Sequence, residues 1–356
     1  MARIQPISAA QSLEFDALLD VRSPAEFAED HIPGAINVPV LDDAQRAEVG
    51  TLYTRVSPFE ARKVGAALIA RNIAAHIEQH FMDKPKSWRP LVYCWRGGQR
   101  SGAMAHILGQ IGWSVGQLQG GYKAYRQYVR SELQTLPARF GFRVLCGPTG
   151  SGKSRLLHAL AGNGAQVLDL EGLANHRGSL LGGLPGSPQP SQKCFETQLW
   201  DALRKLDPQH PVFVEAESRK IGVLSLPDSL LHGMRQADCI HLDAGVEARA
   251  TLLLEDYDHF LSEPALLFEK LDQLMPLHGR QTLEHWRQLA ESREWRLLVT
   301  ELLQMHYDPA YKKSTYSNFV RFGQAAGLQL PGLDSGGLNE AARRLIQAHA
   351  PVMSAS

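Results

Sequence analysis

Residues 143–161, RVLCGPTGSGKSRLLHALA, contain the pattern that is most informative about the second half of the chain. It contains Gly147-Pro148-Thr149-Gly150-Ser151-Gly152-Lys153-Ser154, which matches G-x-x-x-x-G-K-[ST] at every fixed position. The glycines let backbone N–H groups turn toward phosphate oxygens, and Lys153 adds positive charge where a helix begins. The stretch therefore predicts a strand, Arg143–Cys146, a phosphate-binding loop and a helix, Lys153–Ala161, with Ser154 as a candidate ligand of Mg²⁺.

Strands and helices are predicted to alternate after this loop, which is typical of a parallel sheet covered by helices. The predicted strands are Ala165–Leu170, Pro211–Glu215 and Cys239–Leu242, and the predicted helices include Gln192–Lys205 and Val246–Tyr257. Helical periodicity covers Gln281–Met305, and residues 331–337 form a glycine-rich loop. We expect a kinase-like P-loop domain of α/β class over residues 141–356, with a helical C-terminal region.

Acidic residues at the ends of these strands are candidates for acid/base or metal-side roles. Glu215 ends a strand where a P-loop protein places its acidic metal-side residue, and Glu217 is the neighbouring option. Asp169 closes the second strand, where small-molecule kinases often place a base. Each could equally be a strand-end cap or a solvated charge. The glycine-rich loop over residues 177–186 is either a lid over the phosphate site or an ordinary surface loop.

A second glycine-containing loop lies in the first third of the chain. Cys94 ends a buried strand and is followed by Trp95, Arg96, Gly97, Gly98, Gln99 and Arg100, before a helix that starts near Ser101. Backbone N–H groups at a helix N-terminus and two arginines favour the thiolate form of a cysteine. A thiolate can carry sulfur or selenium between two transfers. Cys94 is therefore the candidate catalytic residue, and the loop that follows it is a candidate anion-binding loop.

Further short apolar runs around this loop predict a first parallel α/β domain over residues 1–135. The predicted strands are Ala17–Val21, Pro90–Cys94 and Val115–Leu118, and the predicted helices are Pro58–His80 and Ser101–Gly112. The segment Leu133–Phe142, which carries Pro and Gly, is the predicted domain boundary.

Composition limits the function classes. The chain has 356 residues, and its 37 Lys and Arg balance 37 Asp and Glu, so an RNA contact would have to come from local patches. The 4 cysteines include no CxxC pair, which argues against a disulfide framework or a zinc site. The N-terminal residues lack a signal-peptide hydrophobic stretch, and no apolar run is long enough to cross a membrane. We expect a cytoplasmic protein without a membrane partner.

Two segments resemble the rhodanese domain. Residues 18–40, LLDVRSPAEFAEDHIPGAINVPV, look like its signature, and Gly120-Gly121-Tyr122 looks like its closing motif. The loop from Cys94 to Arg100 resembles the sulfurtransferase loop. Rhodaneses transfer sulfane sulfur through that cysteine, so the resemblance implies this role for Cys94 and anion binding for Arg100 and the loop amides.

A rhodanese domain followed by a P-loop domain resembles the tRNA 2-selenouridine synthase family. Segments 173–181, 212–220, 277–280 and 307–311 look like that family as well. The resemblance implies that the sulfur of a wobble 2-thiouridine in the tRNA anticodon is replaced by selenium through an S-geranyl intermediate. It implies geranyl diphosphate and selenophosphate as substrates, no tightly bound cofactor, Mg²⁺ as a candidate ion, and a selenophosphate-producing enzyme as a candidate partner.

Two other interpretations of the whole chain stay open at this point. One is an ATP-dependent kinase or ATPase fused to a sulfurtransferase, with Asp169 as the base. The other is a nucleotide-gated sulfur-carrier adaptor that binds partner proteins.

Individual surface features also allow two interpretations. The stretch Arg280–Arg296, with its two tryptophans, could bind RNA or could be an amphipathic core helix. His76 and His80 have the spacing of a zinc pair, but they lack a third ligand, which favours a surface pair. The basic positions Arg219-Lys220, Lys312-Lys313 and Arg321 are candidate phosphate contacts or solvated charges.

Overall fold

The computed structural model describes residues 4–330 and 332–349, and the chain divides into two compact units. The first unit is Met1–Glu132 with Pro190–Asp201, and the second is Leu133–Gln189 with Ala202–Ser356. Residues 1–3, 331 and 350–356 lie outside the described residues. The outer ends of the two predicted domains and the first residue of the predicted loop 331–337 are among them. The domain bounds 1–135 and 141–356 stay predictions.

The first unit contains a five-stranded parallel sheet in the order β1-β5-β4-β2-β3. Its strands are β1 (Gln5–Ile7), β2 (Ala17–Asp20), β3 (Ala35–Asn37), β4 (Pro90–Tyr93) and β5 (Gly116–Leu118). Its helices are α1 (Pro24–Glu29), α2 (Asp43–Arg55), α3 (Pro58–His76), α4 (Gln99–Ile111) and α5 (Gly121–Thr135), the last of which crosses the unit boundary. Short 3-10 or π turns cover Ala9–Glu14 and Ile77–Phe81.

Helices on both faces of this sheet explain the continuous apolar runs of the central strands. All four residues of β4 are buried, and β2 is buried from Leu18 onward. The register pairs Asp20 with Tyr93, so Val21 and Cys94 leave neighbouring strands at the same edge of the sheet. At that edge Arg22, which is fully buried, donates its guanidinium to the carboxylate of Asp20, with Nη2 2.6 Å from Oδ2.

The second unit contains a second parallel sheet, in the order β12-β11-β6-β8-β7. Its strands are β6 (Phe142–Cys146), β7 (Gln166–Leu168), β8 (Val212–Glu215), β11 (Asp238–Asp243) and β12 (Ala326–Gln329), and the antiparallel pair β9 (Lys220–Ile221) and β10 (Leu224–Ser225) lies outside the sheet. The chain here also forms α6 (Lys153–Gly162), α7 (Leu170–Ala174), α8 (Gln192–Arg204), α9 (Asp228–Gln236), α10 (Val246–Asp256), α11 (Asp258–Ser262), α12 (Pro264–Leu271), α13 (Met275–Glu291), α14 (Trp295–Leu302), α15 (Asp308–Asn318) and α16 (Ser335–Ala348). Of these, α8 up to Asp201 belongs to the first unit.

The strand order confirms the predicted kinase-like P-loop fold. The phosphate-loop strand β6 lies in the centre, between β8 and β11, and the chain returns through helices to form every parallel pair. The register pairs Leu145 with Glu215, which places Glu215 beside the start of the phosphate loop. Ligands of open parallel sheets bind at the carboxyl ends of the strands, and both features lie there.

Several elements differ from the sequence prediction. The expected strand Ala165–Leu170 ends at Leu168, because Asp169 caps a short helix instead. The expected helix Gln281–Met305 is broken between α13 and α14, and α16 begins at Ser335, inside the expected loop 331–337. The short strands β1, β3, β9, β10 and β12 have too little periodicity to be predicted. Within residues 4–330 and 332–349, no helix is both long enough and apolar enough to span a membrane.

Candidate active site

Cys94 occupies the position that the sequence predicts, between β4 and the N-terminus of α4. Its residue is only 2% exposed, so the thiol is more enclosed than the accessible thiolate expected from the sequence. The Sγ atom lies 3.4 Å from the hydroxyl of Ser101, which donates to it, and 3.7 Å from the carbonyl of Arg96. The sulfur thus accepts one hydrogen bond and donates another.

Gln117 holds this hydroxyl in place, and sequence analysis did not identify it. Its Nε2 donates to Ser101 Oγ at 2.9 Å and to the carbonyl of Gly98 at 3.0 Å. Because Gln117 occupies the acceptor side of Ser101, the hydroxyl proton can point at the sulfur of Cys94. The pairing of β5 with β4 brings Gln117 to the loop, and no local sequence signal reports such a pairing.

The two arginines of the loop have different surroundings. Arg96 is exposed, whereas the guanidinium of Arg100 pairs with the carboxylate of Glu26 at 2.8 Å. Burial works to raise the pKa of Glu26, but the hydrogen bond and charge of Arg100 outweigh it and hold that pKa below its usual value. Arg100 is therefore largely neutralised by Glu26, and Arg96 is the free positive charge of the loop.

The closing motif fixes both ends of the cysteine loop. The backbone N–H of Tyr122 donates to the carbonyl of Cys94 at 2.8 Å, and that of Lys123 donates to the carbonyl of Trp95 at 3.0 Å. Gly121 has a φ of +60°, and a Cβ at this position would lie 2.3 Å from the carbonyl oxygen of Cys94. Only glycine allows the chain to approach so closely. The resemblance to the rhodanese closing motif thus has a physical cause.

The phosphate loop, residues 147–154, follows β6 and opens α6 as the sequence predicts. Gly150 and Gly152 have positive φ angles of +78° and +81°, and these angles wrap the backbone N–H groups around the loop interior. The Nζ atom of Lys153 lies 2.7 Å from the carbonyl of Gly147, at the mouth of that cradle. The buried guanidinium of Arg249 donates to the carbonyl of Thr149, a residue of this loop, at 2.8 Å.

Three carboxyl groups line the side of the loop near Ser154. The hydroxyl of Ser154 donates to Oε2 of Glu171 at 2.6 Å, and Oε1 of Glu215 accepts the backbone N–H of Glu171 at 2.9 Å. Burial raises the pKa of Glu171 and of Glu215, and burial beside Glu171 raises the pKa of Glu217 to about 8. Glu171 was not among the residues predicted from the sequence, because no pattern marks it before the fold is known.

The chemistry of these donors fits a divalent cation. Glu215 is fully buried, and its Oε2 has no hydrogen-bond partner among the described residues. A hydroxyl, a free carboxylate oxygen and substrate phosphates are the ligands that Mg²⁺ takes in phosphate sites. In the described parts of the chain there is no cluster of three or more His, Cys, Asp or Glu that could hold a metal by protein ligands alone.

Asp169 caps a helix in this unit and also contacts a histidine. Its Oδ1 accepts the backbone N–H of Gly172 at 2.7 Å, which caps α7, and its Oδ2 lies 2.9 Å from Nε2 of His158. Both carboxylate oxygens are therefore engaged, and the proposed base role stays a prediction.

Two pockets meet at the phosphate loop. The first contains the loop itself together with Glu171, Arg177, Glu217 and Tyr311, among others. The second is almost wholly apolar and is lined by leucines of α10 and α14 together with Phe260 and Trp295. The residues that line both pockets are Thr149, Ser179, Leu253, Tyr257 and Tyr307. The glycine-rich loop thus borders both pockets through Ser179, as its interpretation as a lid requires.

Trp286 and the pair His76 and His80 take ordinary structural roles. Trp286, in the stretch considered for RNA binding, is fully buried and donates to Glu301 at 3.0 Å. That environment is the one expected of a core helix. His76 bonds to the carbonyl of Pro39 at 2.9 Å, and the ring of His80 stacks on it, as in a surface pair.

The comparisons with known proteins follow the same division. Residues 140–273 match the tRNA 2-selenouridine synthase AAA domain, and residues 6–128 match the rhodanese-like domain. Among solved structures, the N-terminal domain of a putative ATP/GTP binding protein from Clostridium difficile 630 is 35% identical to this chain. The match covers 35% of this chain and 98% of the solved chain. Its TM-score of 0.32 is below the level that shows a shared fold.

Curated relatives match over most of the chain. A tRNA 2-selenouridine synthase from Nitrosomonas europaea is 38% identical over 73% of this chain and 67% of the relative. One from Nitrosomonas eutropha is 37% identical, and the aligned part covers 67% of this chain and 62% of the relative. One from Alcanivorax borkumensis is 33% identical over 83% of this chain and 88% of the relative.

Proposed function

The chain belongs to the tRNA 2-selenouridine synthase family, and from this premise we propose that it converts wobble 2-thiouridine in tRNA into 2-selenouridine. The substrates in this proposal are geranyl diphosphate and selenophosphate. In the first step the thiouridine sulfur attacks the allylic carbon and diphosphate leaves. In the second step the selenium of selenophosphate bonds to C2 of the base, the geranylated sulfur leaves as geranylthiol, and water takes up the phosphoryl group as the phosphorus–selenium bond breaks.

The observation that carries the proposal is the apolar pocket that adjoins the phosphate loop. A nucleoside triphosphate would need polar groups beside its phosphates for the sugar and base, whereas leucines and aromatic rings line this pocket. A prenyl diphosphate has the matching chemistry, because its chain gains about 0.8 kcal/mol for each CH₂ group removed from water. The diphosphate end would then lie against the loop amides and Lys153.

The phosphate loop acts on the leaving group in this first step. Negative charge grows on the diphosphate as the carbon–oxygen bond breaks, and oriented N–H groups with Lys153 stabilise that charge. Ser154 and Glu215 would hold Mg²⁺, which supplies further positive charge beside the diphosphate when it is bound. Glu171, which accepts from the Ser154 hydroxyl, would keep that hydroxyl oriented.

Cys94 acts in the second step of the proposal. The exposed Arg96 and the N–H groups at the start of α4 suit the phosphate group of selenophosphate. Ser101, held by Gln117, positions the Cys94 sulfur through a hydrogen bond. We also propose that the protein works in the cytoplasm and receives selenophosphate from a separate enzyme that produces it.

Nucleoside analysis of tRNA tests the proposal directly. Cells that lack this chain are complemented with the wild type, Cys94→Ser or Lys153→Ala, and their tRNA is digested and analysed by mass spectrometry. We expect 2-selenouridine with the wild type, only S-geranyl-2-thiouridine with Cys94→Ser, and unmodified 2-thiouridine with Lys153→Ala.

Cys146→Ser is the matched control, because Cys146 is a buried cysteine at the end of β6, outside the cysteine loop. It should retain selenation. Selenouridine formed by Cys94→Ser would contradict the role of Cys94, and S-geranyl-2-thiouridine formed at the normal rate by Lys153→Ala would contradict that of the phosphate loop.

A further inference from the structure

Arg177 is carried by a loop that folds tightly against the phosphate pocket. The backbone N–H of Arg177 donates to the carbonyl of Gly182 at 2.9 Å, and the N–H of Ser179 donates to the carbonyl of Arg177 at 2.7 Å. A bridge between His176 and Gly183 closes the base of this loop. These bonds fix the backbone of Arg177, so its side chain projects from a defined point.

The guanidinium of Arg177 lies in the phosphate pocket without an acidic partner. It donates to the backbone carbonyl of Asp256 and lies 4.9 Å from the ring centre of Tyr257. Among the described residues, no carboxylate lies within the 4.0 Å of an ion pair with Arg177. The pocket's other arginine, Arg155, pairs with both Glu255 and Asp256, at 3.1 Å and 2.7 Å. In the described part of the chain, Arg177 therefore has no ion pair that competes with a ligand, although its charge acts to lower the pKa of Glu171 in the same pocket.

Arg177 lies next to the junction of the two pockets, and this position indicates the kind of ligand that its guanidinium binds. Tyr257, beneath its guanidinium, lines both pockets, and the hydroxyl of Tyr257 lies 3.3 Å from that of Ser179, which also lines both. A prenyl diphosphate that spans the two pockets would place its carbon–oxygen bond at this junction. Arg177 would then lie beside the phosphate that carries that bond, on a different chain segment from Lys153.

We propose that Arg177 is a catalytic residue that binds the diphosphate as it leaves the prenyl group, an inference that rests on the proposed function. The thiouridine sulfur forms its bond to the allylic carbon while the carbon–oxygen bond breaks. The electron pair of that bond goes to the diphosphate, and the N3 proton of the base goes to solvent. Arg177 leaves the carbonyl of Asp256 and donates two hydrogen bonds to the new negative charge.

The test measures geranyl transfer and diphosphate binding with Arg177→Gln and Arg177→Lys. Because charge on the diphosphate grows toward the transition state, Arg177→Gln should lower kcat by about 10²-fold or more with a smaller change in KM. It should also weaken the binding of inorganic diphosphate by about tenfold. Arg177→Lys should recover part of the rate, since lysine supplies charge but no forked pair of donors.

Arg287→Gln is the matched control. Arg287 also lies over an aromatic ring, 5.6 Å from the centre of Phe268, but it pairs with Asp272 and does not line either pocket. It should keep wild-type kcat and diphosphate affinity. Thermal unfolding of each variant shows whether it has folded.

The outcomes separate this inference from the proposed function. If folded Arg177→Gln transfers geranyl at the wild-type rate while Lys153→Ala does not, Arg177 has no catalytic role and the proposed function stands. If Arg177→Gln and Arg287→Gln lose activity equally, the effect is structural and the inference is wrong. If the wild type transfers no prenyl group from any prenyl diphosphate, both fail.

Discussion

Asp30 is a buried carboxylate that the first unit holds mainly with hydroxyl groups. It is 1% exposed, and its Oδ2 accepts from the hydroxyl of Tyr122 at 2.7 Å and from that of Thr197 at 3.0 Å. Its Oδ1 has no partner among the described residues. Burial raises the pKa of Asp30, and the hydrogen bonds of Tyr122 and Thr197 and the charge of Arg126 offset only part of that effect.

Asp30→Asn should change how the stability of the first unit depends on pH. A carboxyl group whose pKa is raised by folding stabilises the fold fully below its unfolded pKa, near 3.8, and loses that contribution as pH rises through its folded pKa. The variant lacks this loss, so its stability relative to the wild type should increase as the pH rises from about 4 toward neutral.

Urea unfolding followed by tryptophan fluorescence across that pH range measures the difference. Glu48→Gln removes the same charge from an exposed position on α2 and serves as the control, with a constant offset from the wild type. If the difference in the free energy of unfolding between Asp30→Asn and the wild type also stays constant with pH, the pKa of Asp30 is not raised by folding.

At the level of a secondary-structure element, α13 ends although the helical periodicity of the sequence continues into α14. Arg293 has a φ of +59°, its N–H donates to the carbonyl of Ala290 at 3.1 Å, and the N–H of Glu294 donates to that of Leu289 at 2.8 Å. This is the Schellman arrangement, which usually has glycine at the left-handed position. An arginine there retains the steric strain of its Cβ.

Arg293→Gly should therefore stabilise the second unit, by about 1 kcal/mol, because glycine adopts a positive φ without strain. The midpoint of its urea or thermal unfolding transition measures this. Gln288→Gly, an exposed position with helical geometry inside α13, is the control and should destabilise by roughly 1 kcal/mol. If both substitutions destabilise, Arg293 is not strained at this junction.

At the scale of the whole molecule, the candidate prenyl site depends on segments far apart in the sequence. The phosphate loop follows β6, Leu253 and Tyr257 come from α10 and the residue after it, and Tyr307 precedes α15. The glycine-rich loop adds Leu181 to the apolar pocket. No single segment contains enough of the pocket to bind a prenyl chain.

Leu181→Ser should distinguish the apolar pocket from the phosphate pocket. Removing this side chain takes away about 1–2 kcal/mol of apolar contact, so the Kd of geranyl diphosphate should rise by roughly 5- to 30-fold. The Kd of inorganic diphosphate should not change. Calorimetric titration with inorganic diphosphate, followed by titration of geranyl diphosphate into the same sample, measures both Kd values on one preparation.

Leu297→Ser is the control, because Leu297 is a leucine of α14 that is 47% exposed and lines neither pocket. It should bind both ligands like the wild type. An equal loss of affinity for both ligands in Leu181→Ser would mean that the loop has collapsed, and no loss for either would mean that the chain of the ligand lies elsewhere.

Features that a few adjacent residues encode could be predicted from the amino-acid sequence alone. The two parallel sheets follow from buried apolar runs such as β4 and β8, and the kinase-like order of the second sheet agrees with the prediction from its phosphate loop. The backbone of both loops is also encoded locally, because glycines at positive φ fix where the N–H groups point. Cys94 and Lys153 could therefore be predicted as candidate site residues before any contact was known.

The side chains that surround those two residues are known only once separate elements have packed together. Ser154 meets Glu171 and Arg177 meets the carbonyl of Asp256, and these contacts join positions 17 and 79 residues apart. Strand register brings Gln117 to Ser101, and the capping of α7 engages the carboxylate of Asp169. Such contacts arise when separate elements pack together, and local propensity contains no information about partners that are distant in the chain.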